Sequence, residues 1–288
     1  MDIPTASKEF LMIQKLIEDK CGIVLGQEKA FLLESKLSKM LAESSSLSFD
    51  DLYRKICYGN NHEVVEIVIE AVTIKETFWF RDKAPWQILE ELLLPIYIKE
   101  LREGKRHKVR IWSAACSYGQ EPYSVAMCID NYLEREGVID IKLSDFEILA
   151  TDISKAALQT AEAGTFDNIS ILRGLEDHYK YKYFQNQGRI WRIDDRIKNS
   201  ICFKQFNLIN EFLYFEKFDL ILFRNVLMYF SERLKKEMLN KISKSLDPQG
   251  VLFIGSSELL NDYNSCFLME HYKTGVYFKA KLTGKSST

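Results

Sequence analysis

The chain has 288 residues, 47% hydrophobic and 28% charged, which is ordinary globular composition with length for one large domain or two smaller ones. Lys+Arg 39 against Asp+Glu 41 leaves a net charge of -2, which lacks the basic excess of a nucleic-acid-binding domain. No apolar run is long enough to span a bilayer, so no membrane insertion is expected.

The first quarter reads as helices. Phe10, Ile13, Leu16 and Ile17 recur at helical spacing, and Gly22 follows as a stop. A second stripe runs Leu33, Leu37, Met40, Leu41. Ser48 with Asp51 resembles a capping box opening a helix through Leu52 and Ile56, and Val64, Val65, Val68 and Ile69 continue a short apolar helix. From Lys108 the grammar changes. VRIWSAA is a strand and turn, EPYSVAMCIDNYL a helix with Pro122 in its first turn, and FEILATD a second strand. Ser154 caps the next helix and Gly164 ends it. FDLILFRNV reads as a third strand, SERLKKEMLNKISKSL as an amphipathic helix, DPQG as a turn and VLFIGSSE as a strand. Strands alternating with helices imply an α/β fold with a parallel sheet. Between Phe166 and Leu208 the rhythm breaks, and the short runs RIWRI and SICFKQF suggest an inserted antiparallel element.

Four segments carry candidate chemistry. WSAACSYGQEPYS sits at the carboxyl end of the first strand, where open α/β sheets bind ligands. Its small residues admit a ligand close to the backbone, although an ordinary tight connection has the same look. With Gly119 as its one glycine it is not the dinucleotide fingerprint GxGxxG. Asp152 ends the second strand, where a carboxylate can accept ribose hydroxyls. FRNVLMYF interrupts an apolar run with Arg224 and Asn225 and adds Tyr229; Arg224 either serves the crevice or pairs with a core carboxylate. TIKETFWFR brackets three aromatics between Thr77 and Arg81, and such a cluster is more often core than site.

The six cysteines, Cys21, Cys57, Cys116, Cys128, Cys202 and Cys266, include no CxxC pair, so no metal site is expected. Scattered cysteines and an N-terminus, MDIPTASKEF, without a secretion signal point to the cytoplasm.

Together TIKETFWFR, IWSAACSYGQEPYS, ILATDIS, the asparagine-bearing FNL, FDLILFRNVLMYF and DPQGVLFIGSSE resemble the CheR family of chemotaxis-receptor glutamate methyltransferases. The resemblance implies an all-helical N-terminal domain over about residues 1–80 and a Rossmann-like methyltransferase domain over about 81–288, with an antiparallel β insertion near 168–203. It implies methyl transfer from S-adenosylmethionine to glutamates in the cytoplasmic helical domain of chemoreceptors, leaving S-adenosylhomocysteine, by a monomer that needs no nucleic acid. Position by position, it puts cofactor contacts on Thr77, Arg81, Glu121, Asp152, Asn207, Leu208, Arg224 and Asn225, and Arg81 and Tyr229 nearest the reacting methyl and the glutamate. Lys75 stands where the family usually has a small polar amide, and Gln120 replaces the first acid of its usual GEEPYS. The helix QEKAFLLESKLSKML resembles the receptor-facing helix, with lysine and serine where arginines are usual. The compact YFQNQGRIWRI implies recognition independent of a receptor tail peptide. Two other readings stand beside this one: a nicotinamide-dependent oxidoreductase, opposed by the missing GxGxxG and the lack of a histidine proton donor, and a non-catalytic CheR-like module that only binds the cofactor.

Overall fold

A computed structural model describes residues 8–24, 35, 37, 51, 54, 62–212, 216–258, 260 and 266–281. The expected cap at Ser48, most of the Leu33–Leu41 stripe and most of the receptor-facing helix lie outside the described residues; Leu37, within them, is helical and fully buried.

Helix α1 (Lys8–Cys21) packs Ile13 and Ile17 inward, and Gly22, at φ +76°, ends it. Its left-handed conformation favours glycine, and a Cβ there would have to displace the Leu234 side chain. Helix α2 (His62–Val72) follows. A continuous helical stretch then runs through α3 (Lys83–Ile88), a π-helical turn (Leu89–Leu93) and α4 (Leu94–Arg102).

The main sheet contains β1 (Val109–Ala114), β2 (Phe146–Asp152), β6 (Ile201–Gln205), β7 (Phe218–Leu222), β8 (Leu246–Phe253), β9 (Phe267–Tyr272) and β10 (Gly275–Ala280). Its order is β6-β2-β1-β7-β8-β10-β9; β10 runs antiparallel to both β8 and β9, and the remaining pairs are parallel. Helices α5 (Gln120–Arg135), α6 (Lys155–Ala163) and α10 (Glu232–Ser245) connect the parallel strands. Alternate residues of the inner strands feed two cores. Ile111, Leu220, Leu222, Val251 and Phe253 face one side, and Trp112, Ile221 and Leu252 the other. Burial on both faces is why FDLIL is apolar apart from Asp219, which pairs with Arg106.

Between β2 and β6 lies a second sheet, β3 (Thr165–Asp167), β5 (Ile190–Ile193) and β4 (Phe184–Asn186), antiparallel throughout. Short helices α7 (Asn168–Leu172), α8 (Asp177–Tyr183) and α9 (Asp195–Lys198) accompany it. The expected antiparallel insertion is present, but SICFKQF is not part of it. Ile201–Gln205 pairs in parallel with β2 as the edge of the main sheet. Two other segments differ from expectation. FDLILFRNV is a strand only to Leu222, because Asn225 takes φ +59° and Leu227–Tyr229 turn as a 3-10 helix. DPQG lies inside β8 as a bulge: Phe218 pairs with Leu246 and Leu220 with Val251, so intervening residues loop out.

The chain moves outward from β1 through β2 to β6, then returns to β7 on the other side of β1. The switch point between β1 and β7 opens a crevice at their carboxyl ends. The end of α1 closes it from above: the Val24 amide donates to the Tyr229 carbonyl at 2.7 Å, Ile23 bridges Phe230, and Asn207 Nδ2 donates to the Lys20 carbonyl at 2.7 Å.

Candidate active site

The turn after β1 is built from strained backbone. Ala115, Ser117 and Gly119 all have positive φ, at +64°, +52° and +90°. Small side chains lower the steric cost of that path, and hydrogen bonds hold it: Cys116 N to the Thr151 carbonyl at 2.9 Å and Ser117 N to Asp152 Oδ2 at 2.8 Å. Gly119 is required, because a Cβ there would lie 2.8 Å from Ala161.

Asp152 is buried, and its Oδ1 accepts from Ser154 N at 2.9 Å. Burial raises its pKa, and the two backbone N–H groups pull it back. Each oxygen has accepted one bond and keeps capacity for another. Ser154 also caps α6 through Ala157 N at 3.0 Å and donates to Glu70 Oε1 of α2 at 2.6 Å. Glu70 also accepts from Ala156 N at 3.1 Å and takes Lys75 as its ion-pair partner, so α2 is tied to the Asp152 side of the crevice through Glu70.

Glu121, in the first turn of α5, receives Ser113 Oγ at 2.7 Å and Arg224 Nη1 at 2.8 Å. Burial raises its pKa against the opposing charge of Arg224. Arg224, 5% exposed, also donates through Nη2 to Asp82 Oδ2 at 2.8 Å and to the Arg81 carbonyl at 2.5 Å. Arg224 is therefore both a wall of the crevice and the partner of two partly buried carboxylates. Arg81 lies over the Phe78 ring at 5.4 Å and donates to the Glu76 carbonyl at 3.0 Å. The aromatics beside it divide their work. Trp79 is fully buried against Tyr123, Phe166 and Phe184, which anchors the segment, while Phe78 lines the crevice. Burial raises the Tyr229 hydroxyl pKa, and the nearby Arg81 charge opposes that rise.

Thr77, Arg81, Glu121, Asp152, Asn207, Leu208, Arg224, Asn225 and Tyr229 all line one cavity of about 300 Å³. That is the low end of small-molecule sites, ~300–1,000 Å³. Two atoms bordering it, Ser117 Oγ and Arg224 Nε, are buried without a hydrogen-bond partner. A native interior rarely leaves such atoms unpaired, so they suit a polar ligand. Among the described residues no cluster has the makings of a metal site.

The CheR methyltransferase SAM binding domain matches residues 75–276, and the CheR methyltransferase all-alpha domain matches residues 8–73. The chain belongs to the CheR methyltransferase family. It is 36% identical to chemotaxis protein methyltransferase Cher2 of Pseudomonas putida, over 96% of this chain and 99% of that protein. It is 37% identical to chemotaxis protein methyltransferase 1 of Pseudomonas aeruginosa, over 96% and 99%. The chemotaxis protein methyltransferase of Vibrio anguillarum is 38% identical, over 97% and 99%. The protein is a methyltransferase of the chemotaxis CheR type, and its cofactor is S-adenosylmethionine. The residues present fit that cofactor: a buried carboxylate at Asp152, unpaired Ser117 Oγ, and apolar walls at Leu208 and Val226. No helix among the described residues is long and apolar enough to cross a membrane.

Sequence reasoning missed Glu258 and Asp82, and read Ser117 as a small residue of the turn after β1 but not as a polar group of the cavity. Glu258 carried the clearest signal, an acid just past the apolar strand VLFIG, but its role depends on two loops that meet only in the folded chain.

Proposed function

We propose that this CheR-family protein methylates glutamate side chains in the cytoplasmic helical domain of chemoreceptors, forming methyl esters, and that it works in the cytoplasm as a monomer without a receptor tail peptide. The convergence of Arg81 and Tyr229 on the cavity that also holds Asp152 and Glu121 carries this reading. When bound, S-adenosylmethionine supplies an electrophilic methyl group on a sulfonium sulfur. Asp152 binds the ribose, Asn207 and Leu208 flank the adenine, and Thr77, Glu121, Arg224 and Asn225 hold the methionyl end.

A glutamate carboxylate is ionised at neutral pH and needs no general base. The chain's task is alignment of the carboxylate oxygen with the methyl carbon and sulfur. Arg81 orients the carboxylate. Its position is set from behind, because its carbonyl accepts from Trp86 Nε1 at 3.1 Å as well as from Arg224. Tyr229 adds a directional hydrogen bond, and its raised pKa keeps the hydroxyl protonated as a donor. The reaction cancels opposite charges, so exclusion of water by Phe78, Met228 and Phe230 favours it.

Labelled-methyl transfer to receptor-bearing membranes tests the reading. The expected label is released as methanol by mild alkali, as a carboxylate ester requires. Alkali-stable label would place the methyl on another group. S-adenosylhomocysteine binding without any transfer would favour the non-catalytic module.

A further inference from the structure

The turn Gly255–Glu258 follows β8 and lies outside the set of candidate cofactor contacts, yet three of its bonds hold the reacting side of the cavity. Glu258 is 8% exposed. Its Oε2 accepts from Asn225 N at 2.8 Å and from Gly255 N at 2.7 Å, and its Oε1 accepts from Leu227 N at 2.8 Å. These are backbone donors from the two loops that leave β7 and β8. Asn225 is at φ +59°, a conformation that costs energy and persists only where neighbours enforce it. Its side chain lies against Gly255, where a Cβ would approach Nδ2 to 2.4 Å. One residue along, Ser256 Oγ donates to Asp82 Oδ1 at 3.2 Å, and Asp82 directly follows Arg81.

We infer that Glu258 is a positioning residue for methyl transfer: through Leu227 N it fixes the Leu227–Tyr229 turn, and its own turn, through Ser256 and Asp82, fixes the Arg81 segment against it. The two side chains assigned to the substrate glutamate thus take their relative placement from a carboxylate that touches neither substrate nor cofactor. The inference rests on the proposed reaction.

The two oxygens of Glu258 are not equivalent, and this gives a specific test. In Glu258→Gln the amide keeps one oxygen. That oxygen belongs on the side with two donors, which leaves the amide nitrogen facing Leu227 N–H. Asn225 stays held and the Leu227–Tyr229 turn is released. Turnover and cofactor binding therefore separate. With wild type assayed in parallel on the same membranes, kcat at saturating receptor and cofactor falls about tenfold or more, the scale of one lost charge-assisted hydrogen bond. S-adenosylhomocysteine affinity by calorimetry stays within about twofold, and hydrogen-exchange protection of the Leu227 amide drops while that of Asn225 persists. Unchanged kcat in Glu258→Gln overturns the inference, and so does a parallel loss of kcat and cofactor affinity. Ser256→Ala, which cuts the arm to Asp82, serves if Glu258→Gln does not fold: lowered kcat with cofactor affinity retained supports the inference, and unchanged kcat overturns it. Failure of wild type itself to label the membranes refutes the proposed reaction instead.

Discussion

Replacing Arg224 with methionine keeps much of the side chain's volume and removes its charge. The guanidinium donates to Glu121, Asp82 and the Arg81 carbonyl. Its loss leaves the largely buried Glu121 carboxylate with Ser113 as its remaining hydrogen-bond donor. Breaking a buried pair from one side costs about 3–5 kcal/mol, a large share of a total stability of about 5–15 kcal/mol. At about 2–4 °C per kcal/mol for a protein of this size class, Tm falls by about 6–20 °C. The deficit depends on pH with a definite sign. Burial already holds the Glu121 pKa above its ordinary value, and Arg224 restrains that rise. Without Arg224 the folded pKa climbs further. A carboxyl with a raised folded pKa stabilises below its unfolded pKa, about 4.3, and loses that contribution as pH rises through the folded value. The Tm gap between Arg224→Met and wild type therefore widens from pH 5 to pH 8, measured by circular dichroism. Adding Glu121→Gln removes the stranded charge, so the double variant is more stable than Arg224→Met alone, a clear departure from additivity. A gap that is independent of pH, or two additive losses, would refute the argument that Arg224 exists to compensate a buried carboxylate.

Asp152→Asn keeps the shape of the side chain but weakens its role as acceptor. Calorimetry with S-adenosylhomocysteine should show affinity lower by about 10–100-fold, the scale of a charge-assisted hydrogen bond; wild-type affinity would remove Asp152 from the site. Tyr229→Phe should lower kcat about tenfold with saturating receptor while cofactor affinity holds, on the same scale for one directional bond. Full turnover in that variant would rule out the assigned role. The wild-type rate should be level from pH 7 to pH 9, since the acceptor is ionised and the Tyr229 pKa is raised above its usual value of 10; a base-like rise over that range would require a general base. Gly119→Ala forces a Cβ to 2.8 Å from Ala161 at φ +90°, so both Tm and cofactor affinity should fall. Unchanged affinity would show that the turn after β1 does not contact the cofactor.

Much of the scaffold was readable because its signals are local. The β2 strand matched FEILATD residue for residue, and Ser154 and Gly164 delimit α6 as their chemistry demands. Signals that compete with tertiary pairing misled. SICFKQF has the same β-forming character whether it joins a small antiparallel sheet or the edge of the main one, and partner choice is not written in its composition. FDLILFRNV looks extended throughout, yet Glu258 pulls Asn225 and Leu227 out of the strand path.

The sequence by itself determined the strands and helices from β1 to α6 and from β7 to β8, the turn of small residues after β1, and the segments that together resemble one methyltransferase family; the helical stretch before β1 and the pair β9 and β10 were not read from it. Periodicity, caps and small residues act over a few positions, so they survive in the linear text. The tertiary structure decided which polar residues share a cavity and which hold one another. Arg224 spends its Nη donors on Glu121, Asp82 and the Arg81 carbonyl, and Glu258 spans the loops after β7 and β8. Arg224 lies over a hundred residues from Glu121, and such pairings become necessary only once burial removes water as the alternative partner.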